Sequence, residues 1–459
     1  MKHGINRCHM VSESAERLPE ERLCLQGKRE LETAKQFNVL VFPGGTEIGL
    51  EIRAALGACK EVTLFSAGLD VSNHAPFVYQ RHFSLPGILD PGWIDALNEI
   101  VEDNGIDYIF PAYDDVLVAL AENLDRIKAR VVSSPPETCL ITRSKLRTYR
   151  HLSGTVPVPT LYESPSMVRN FPVFLKPEKG QGSQRTHVAN DSDELAGIVG
   201  KAKDLLILEY LPGEEYTVDC FTDRHAGLLF CGGRERVRVR SGISMNSRPV
   251  DDSGFSELAR AISERLTFHG AWFFQVKRDG NGVLKLLEAA PRIAGTMALH
   301  RVQGINFPLL SIYEQEGVSV TILRNHINVE IDRCLINRYK HDLTYSVAYI
   351  DLDDTLVLHG EINLNLVKFL YQCINKGIRV VLLTRHAADV ETTLRKHRLA
   401  GIFDQVIHVA HTGAKADHIT ESSAIFVDDS FSERREVSSR LGIPTFDSSM
   451  IEVLFDERR

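Results

Sequence analysis

The sequence predicts a multidomain α/β protein, and three observations carry that prediction. Its 459 residues exceed one core and suggest roughly three folding units at about 150 residues each. Strand-like and helix-like segments alternate at the start and again near the end. Between them lies a β-rich middle with long loops. A chain that is 43% hydrophobic and 25% charged is neither disordered nor fibrous. The net charge of -8 argues against nucleic acid as a main partner, because a basic domain or stripe is missing. No run of about 18 apolar residues appears, so no membrane span is expected. The first thirty residues lack the apolar centre of a secretion signal, so a cytoplasmic location is expected. The eight cysteines form no CxxC pair and are expected to be reduced, buried small hydrophobes.

Residues 1–36 are polar without a lasting apolar period and read as a flexible or partly helical extension. At Phe37 an apolar run, FNVLVF, meets a glycine turn at Gly44 and Gly45 and then helical spacing at Ile48, Ile52 and Leu56. EVTLFSA and DYIFPAY are further strands, with WIDALNEIVEDNG a helix between them, so 37–135 predicts a parallel sheet covered by helices. SSPPETCLITRSKLRTYRHLSG starts at a proline break and reads as helix. Beyond Phe171 the strands FPVFLKP, LLILEYL, YTVDCF, AGLLFC and AWFFQVK follow, and RDGNG predicts a hairpin. These assign 136–340 to a second unit. A compact α/β series, SVAYIDLDDTL to AIFVDDS, makes a third at 346–459, with no linker longer than a few residues.

In YIDLDDTL, Asp351 and Asp353 are two residues apart at a strand end, so both side chains are expected to emerge on one side of the pleat. Two carboxylates aimed at one point need a cation. Asp428 and Asp429, ending another strand, add oxygen ligands suited to Mg²⁺. Thr384 ends a third strand and Lys415 opens a predicted helix, which completes a site for a phosphate that a carboxylate can attack. The order and spacing over about 347–450 resemble the haloacid dehalogenase-like (HAD) hydrolases. That resemblance implies a Rossmann-like domain in which Asp351 is the nucleophile and Asp353 the general acid and base. It further implies that Thr384 and Lys415 hold the phosphoryl group, while Asp351, Asp353, Asp428 and Asp429 form the metal site. The gaps from Leu356 to Thr384 and from Thr384 to Lys415 are too short for a cap domain, which leaves the rest of the chain as a candidate lid.

In the middle unit, Lys176 ends the strand FPVFLKP and precedes a loop with Gly180, Gly182 and Ser183, whose N–H groups suit phosphate oxygens. Glu209, Tyr210 and Leu211 offer backbone groups to a purine edge, and Glu215 can accept ribose hydroxyls. Gln275 and Glu288 fall on the two strands of the predicted hairpin with Arg292 close behind, which suits a metal triphosphate. Across about 37–330 these residues resemble the ATP-grasp superfamily, in its carbamoyl-phosphate-synthetase-like branch. The resemblance implies a pre-ATP-grasp α/β domain followed by ATP-grasp α+β domains. It assigns Lys145 and Lys176 to nucleotide contact, Glu209 and Leu211 to the hinge and Glu215 to the ribose. Gln275 and Glu288 would hold Mg²⁺, with Mn²⁺ able to replace it, and Arg292 would stabilise the transferred phosphate. One departure stands out: Ala290 occupies a position where the family has asparagine.

Arg234, Arg236, Arg238 and Arg240 recur at every second residue, either as a solvated edge strand or as an anion clamp, with Arg240 the preferred clamp residue. His300 and Arg301 either line a carboxylate pocket or simply pack, and His269 and His359 are read as structural. Together the resemblances imply a bifunctional enzyme: an ATP-dependent carboxylate–amine ligase working through an acyl phosphate, fused to a Mg²⁺ phosphatase. Its partners would be a small carboxylate, an amine and a phosphorylated metabolite, and a homodimer through the first unit is open. Two alternatives stay open as well. One is a carbamoyl-phosphate-like activator of small carboxylates with a housekeeping phosphatase. The other is an ATP-sensing regulator whose ligase site is spoiled at Ala290.

Overall fold

The computed structural model describes residues 35–180, 182, 184–202 and 204–458. The N-terminal extension therefore falls outside the described residues except for its last two. The first sheet contains β1 (Phe37–Phe42), β2 (Val62–Gly68), β3 (His82–Ser84), β4 (Tyr108–Pro111) and β5 (Arg130–Val131), all parallel in the order β3-β2-β1-β4-β5. Its central strand is apolar from Val39 to Phe42 because both faces are covered there. Val39 and Val41 pack with Ile52 and Leu56 of the helix Glu47–Leu56, whereas Leu40 and Phe42 pack with Trp93, Ile94 and Leu97 of the helix Trp93–Asn104. Each such buried side chain contributes about 1.5–3 kcal/mol. The turn after β1 requires glycine. A Cβ on Gly44 would sit 2.5 Å from the Ser66 Cβ, and one on Gly49 would sit 2.6 Å from the Gly44 carbonyl oxygen. Thr46 caps the following helix by accepting from the Gly49 N–H at 3.0 Å.

A small antiparallel sheet holds β6 (Leu161–Tyr162), β7 (Val173–Pro177), β8 (His187–Ala189) and β9 (Leu205–Glu209) in the order β6-β9-β7-β8. A larger antiparallel sheet holds β10 (Glu215–Asp223), β11 (Gly227–Arg240), β12 (Ile243–Val250), β13 (Gly270–Arg278), β14 (Leu284–Ala290) and β15 (Ile331–Asp332) in the order β14-β13-β10-β11-β12-β15. Phe221 and Phe273 of this sheet join Val39, Ile52 and Met297 in one core, so the large sheet and the first sheet are packed together.

The last segment carries β16 (Val347–Ile350), a hairpin of β17 (Val357–Leu358) and β18 (Glu361–Ile362), then β19 (Arg379–Thr384), β20 (Gln405–His408), β21 (Ala424–Val427) and β22 (Thr445–Phe446). Apart from the hairpin these strands form a parallel sheet in the order β20-β19-β16-β21-β22, with its own cores around Phe369 and Phe426.

Four expectations need correction. The segment expected as one helix is two, Pro136–Arg143 and Lys145–Leu152, because Ser144 is extended and caps the second. The linker is not short: between the helix Phe307–Gln315 and β16 the chain lacks regular structure apart from β15. The cysteines are not uniformly buried, since Cys59 and Cys231 are half-buried and Cys334 is exposed. The arginine-rich strand β11 is no edge strand, as it pairs with β10 on one side and β12 on the other.

Candidate active sites

In the central cleft, the strand ends of the small sheet face the surface of the large one. A cavity of about 170 Å³ between them is lined by Lys145, Lys176, Gly180, Gly182, Glu209, Leu211, Glu215, Gln275 and Glu288. The structure thus gathers around one space every described residue assigned to the nucleotide and its metal; Ser183 lies outside the described residues. β7 carries Lys176 to the cleft, where its Nζ donates to the Leu287 carbonyl at 3.3 Å and sits 5.5 Å from the Tyr149 ring centre. Burial pushes this ammonium down to about 8, against the pull of Glu288 and Glu215. Lys145 opens its helix beside the Ser144 cap. Its Nζ donates to the Gly180 carbonyl at 3.1 Å and stands 3.6 Å from Glu288 Oε2, so it ties the glycine loop to the large sheet.

The register of the large sheet explains the rest. Gln275 pairs with Glu288 across β13 and β14, and with Thr217 on β10, which pairs with Arg234 on β11. Paired residues share a face. Gln275 and Glu288 therefore present an amide and a carboxylate side by side toward the cleft, an all-oxygen donor set that fits Mg²⁺. Ala290 lies further along the same strand, opposite Phe273, and offers no ligand atom.

Glu209 does not project a free carboxylate, because Lys285 Nζ donates to it at 2.6 Å and the Thr160 N–H at 3.0 Å. Glu215 is held by Arg236 Nε at 2.7 Å. Arg236 lines the cavity, whereas Arg240, the residue preferred from sequence, does not. Register shifts around Arg238 break the two-residue alternation. Arg234 is buried on Asp219, Arg236 is half-buried at the cleft, and Arg238 and Arg240 are exposed. His300 and Arg301 pack instead of lining a pocket: His300 is buried beside Phe230 and Asp219, and Arg301 donates to Glu51 at 2.7 Å.

Arg292 lines an adjoining cavity with Glu288, Ala290 and Lys145. Its Nε donates to Asp114 Oδ1 at 2.5 Å. Burial alone would raise the Asp114 carboxyl, but Arg292, Arg143 and Lys145 hold it below the usual range. Sequence reasoning gave Asp114 no role. The pair of acids directly after β4, at the start of the helix Asp114–Ala121, is the signal that marks it.

The second site lies at the C-terminal ends of β16, β19 and β21. One oxygen from each of Asp351, Asp428 and Asp429 falls within 4.8 Å of the others. Lys415 Nζ donates to Asp351 at 2.7 Å and to Asp428 at 2.6 Å. Burial pushes Asp351 up to about 6, Lys415 drawing it down and Asp428 driving it up. One ammonium is thus left facing three carboxylates, which fits a divalent cation. Thr355 exchanges hydrogen bonds with Asp429, its hydroxyl accepting from the Asp429 N–H at 2.9 Å, a role sequence reasoning missed inside DLDDT. Thr384 is buried at the end of β19. Lys415 opens a 3₁₀ turn, Lys415–His418, in place of the predicted helix.

Asp353 departs from expectation. β16 ends at Ile350, and Asp354 adopts φ 54°, so the chain is already turning and strand alternation no longer governs where Asp353 points. Asp353 stands outside the metal cluster, and its oxygens lie 2.9 Å from His386 Nδ1. The described cavity between the first unit and this segment does not lie at the second site. The cavity between the first unit and this segment is lined by Phe77, Gln372, Ile378 and Phe455, at the opposite, N-terminal end of β19.

Comparison with known proteins fixes the fold of the larger part. Residues 201–333 match the family model described as ATP-grasp in the biosynthetic pathway with Ter operon. Residues 54–133 match the PylC-like N-terminal domain. Biotin carboxylase from Campylobacter jejuni is similar at 16% identity and a TM-score of 0.51, over 62% of this chain and 72% of that one. The L-amino acid ligase from Bacillus licheniformis is similar at 16% identity and a TM-score of 0.50, over 61% and 74%. N5-carboxyaminoimidazole synthetase from Staphylococcus aureus, solved with ADP, is similar at 17% identity and a TM-score of 0.50, over 62% and 79%. No curated protein sequence matches. Over the part of the chain that these structures cover, the fold is like that of ATP-grasp proteins. Among the described residues, no helix is long and apolar enough to cross a membrane.

Proposed function

We propose that the chain is a bifunctional enzyme, an ATP-dependent carboxylate–amine ligase joined to a Mg²⁺-dependent phosphatase. The observation that carries the ligase half is the convergence of Lys145, Lys176, Gly180, Gly182, Glu215, Gln275 and Glu288 on one cavity. Support comes from similar structures whose names include an amino acid ligase and a synthetase solved with ADP. In this assignment a substrate carboxylate oxygen attacks the γ-phosphorus and the bond to ADP breaks. An amine then attacks the acyl carbon, phosphate leaves and the amine loses a proton. Positioning and charge neutralisation supply most of the rate. Lys145 and Lys176 hold the phosphates, and Arg292 stabilises charge on the transferred group. Gln275 and Glu288 would hold Mg²⁺, which neutralises the triphosphate when bound.

The phosphatase half rests on the Asp351, Asp428, Asp429 and Lys415 cluster. Asp351 attacks phosphorus and the ester P–O bond breaks, leaving an aspartyl phosphate. Asp353 gives its proton to the departing oxygen. Water then attacks phosphorus, Asp353 takes the proton, and inorganic phosphate and free Asp351 result. Asp351, Asp428 and Asp429 would hold Mg²⁺, which offsets phosphate charge when bound.

Screening carboxylates with amines for ADP formation, with mass analysis of the products, tests the ligase. Ala290 favours a second reading, in which the ATP cleft senses nucleotide without ligation. Saturable ATP binding with no ADP formed from any pair would support that reading against the first.

A further inference from the structure

β19 runs directly into Arg385 and His386, and His386 is fixed on every side. Its Nδ1 lies 2.9 Å from both Asp353 oxygens, and its Nε2 lies 2.7 Å from Thr393 Oγ1 in the helix Val390–Lys396. Asp353 keeps an acceptor oxygen with or without its proton, so a ring protonated at Nδ1 donates to it in both states, and the Thr393 hydroxyl meets the far side of the ring. The His386 N–H donates to Thr384 Oγ1 at 3.2 Å, and its carbonyl accepts from His408 Nε2 at 2.8 Å. The His386 side chain is 14% exposed and that of Asp353 is 52% exposed. A carboxylate on an exposed turn would otherwise sample several rotamers, and a rigid ring removes that freedom before substrate arrives.

We propose that His386 is a positioning residue. Backed by Thr393, it aims Asp353 at the leaving oxygen of the phosphoryl substrate and equips the site for alkyl phosphate monoesters, whose alkoxide cannot depart unprotonated. This rests on the phosphatase assignment above. The balance is that of the first step: the Asp351–phosphorus bond forms, the alkyl-oxygen–phosphorus bond breaks, and the proton of Asp353 ends on the alcohol. His386 stays unchanged, directing the carboxyl before and after.

The test compares two substrates on the full chain with Mg²⁺: glycerol phosphate, which needs protonation, and p-nitrophenyl phosphate, whose phenolate leaves with little help. For His386→Ala, kcat on glycerol phosphate should fall about 10²-fold, with KM unchanged and p-nitrophenyl phosphate turnover reduced by no more than about threefold. His386→Asn keeps a donor near the Nδ1 position and should recover most of the loss. Thr393→Val, which frees only the far side of the ring, should show a smaller loss with the same substrate bias. Equal losses on both substrates in Thr393→Val, or no loss on either in His386→Ala, would overturn the positioning role. Absence of Mg²⁺-dependent phosphate release from both substrates by the unaltered chain would instead sink the phosphatase assignment itself.

Discussion

The two candidate sites gather charged side chains by different construction. In the C-terminal site the charged groups are already paired, with Lys415 bonded to both Asp351 and Asp428. In the central cleft the cations are spread over separate elements: Lys176 on β7, Lys145 on a helix and Arg236 on β11. Lys176 donates to the Leu287 carbonyl and stands over the Tyr149 ring, with no ion pair of its own among the described residues, and Arg292 is occupied by Asp114. The compact site has little to rearrange, since its donors lie within one sheet. The cleft draws on two sheets, and on the proposed reading a bound nucleotide would bridge them, so the charge state of its cations should weigh on affinity.

The sharpest way to break this comparison is Asp351→Asn. It should lower phosphate release by about 10⁴-fold or more while leaving ADP formation unchanged, as measured on one preparation by the two assays. Next comes Lys176→Met, which should weaken ATP binding about 10- to 10²-fold by calorimetry, since it removes a charge-assisted contact. The lysine carries its charge below about 8 and loses it above, so ATP affinity of the unaltered chain should fall as pH rises from 7 to 9. In Lys176→Met that slope should vanish. A third comparison sharpens the role of β11: Arg236→Ala should weaken ATP binding about tenfold, and Arg240→Ala should change it less than twofold. The smallest effect is expected from Ala290→Asn. By adding an oxygen ligand it should lower the Mg²⁺ needed for half-maximal ADP formation about three- to tenfold.

What was legible in the sequence was whatever short-range chemistry dictates. Lys176 at a strand end before a glycine loop, Gln275 opposite Glu288 and the acids ending β16 and β21 all follow from strand period and hairpin pairing. Asp353 escaped because β16 ends at Ile350 and the chain is already entering the turn that holds the left-handed Asp354, so alternation no longer applies. The arginine row escaped for a related reason, since bulges near Arg238 reassign faces that a regular strand would keep. Asp114 and His386 escaped because each acts through a partner distant in sequence: 178 residues separate Asp114 from Arg292, and 33 separate His386 from Asp353. No local pattern encodes such a pairing; packing creates it.

The cavity between the first unit and the C-terminal sheet lies at the end of that sheet away from Asp351, and the Asp353 side chain beside the second candidate site is 52% exposed. On the proposed bifunctional reading, an intermediate shared by the two activities passes through bulk solution, so tethering matches their abundance and does not hand material across. A competing scavenger added to the medium should then intercept the shared compound.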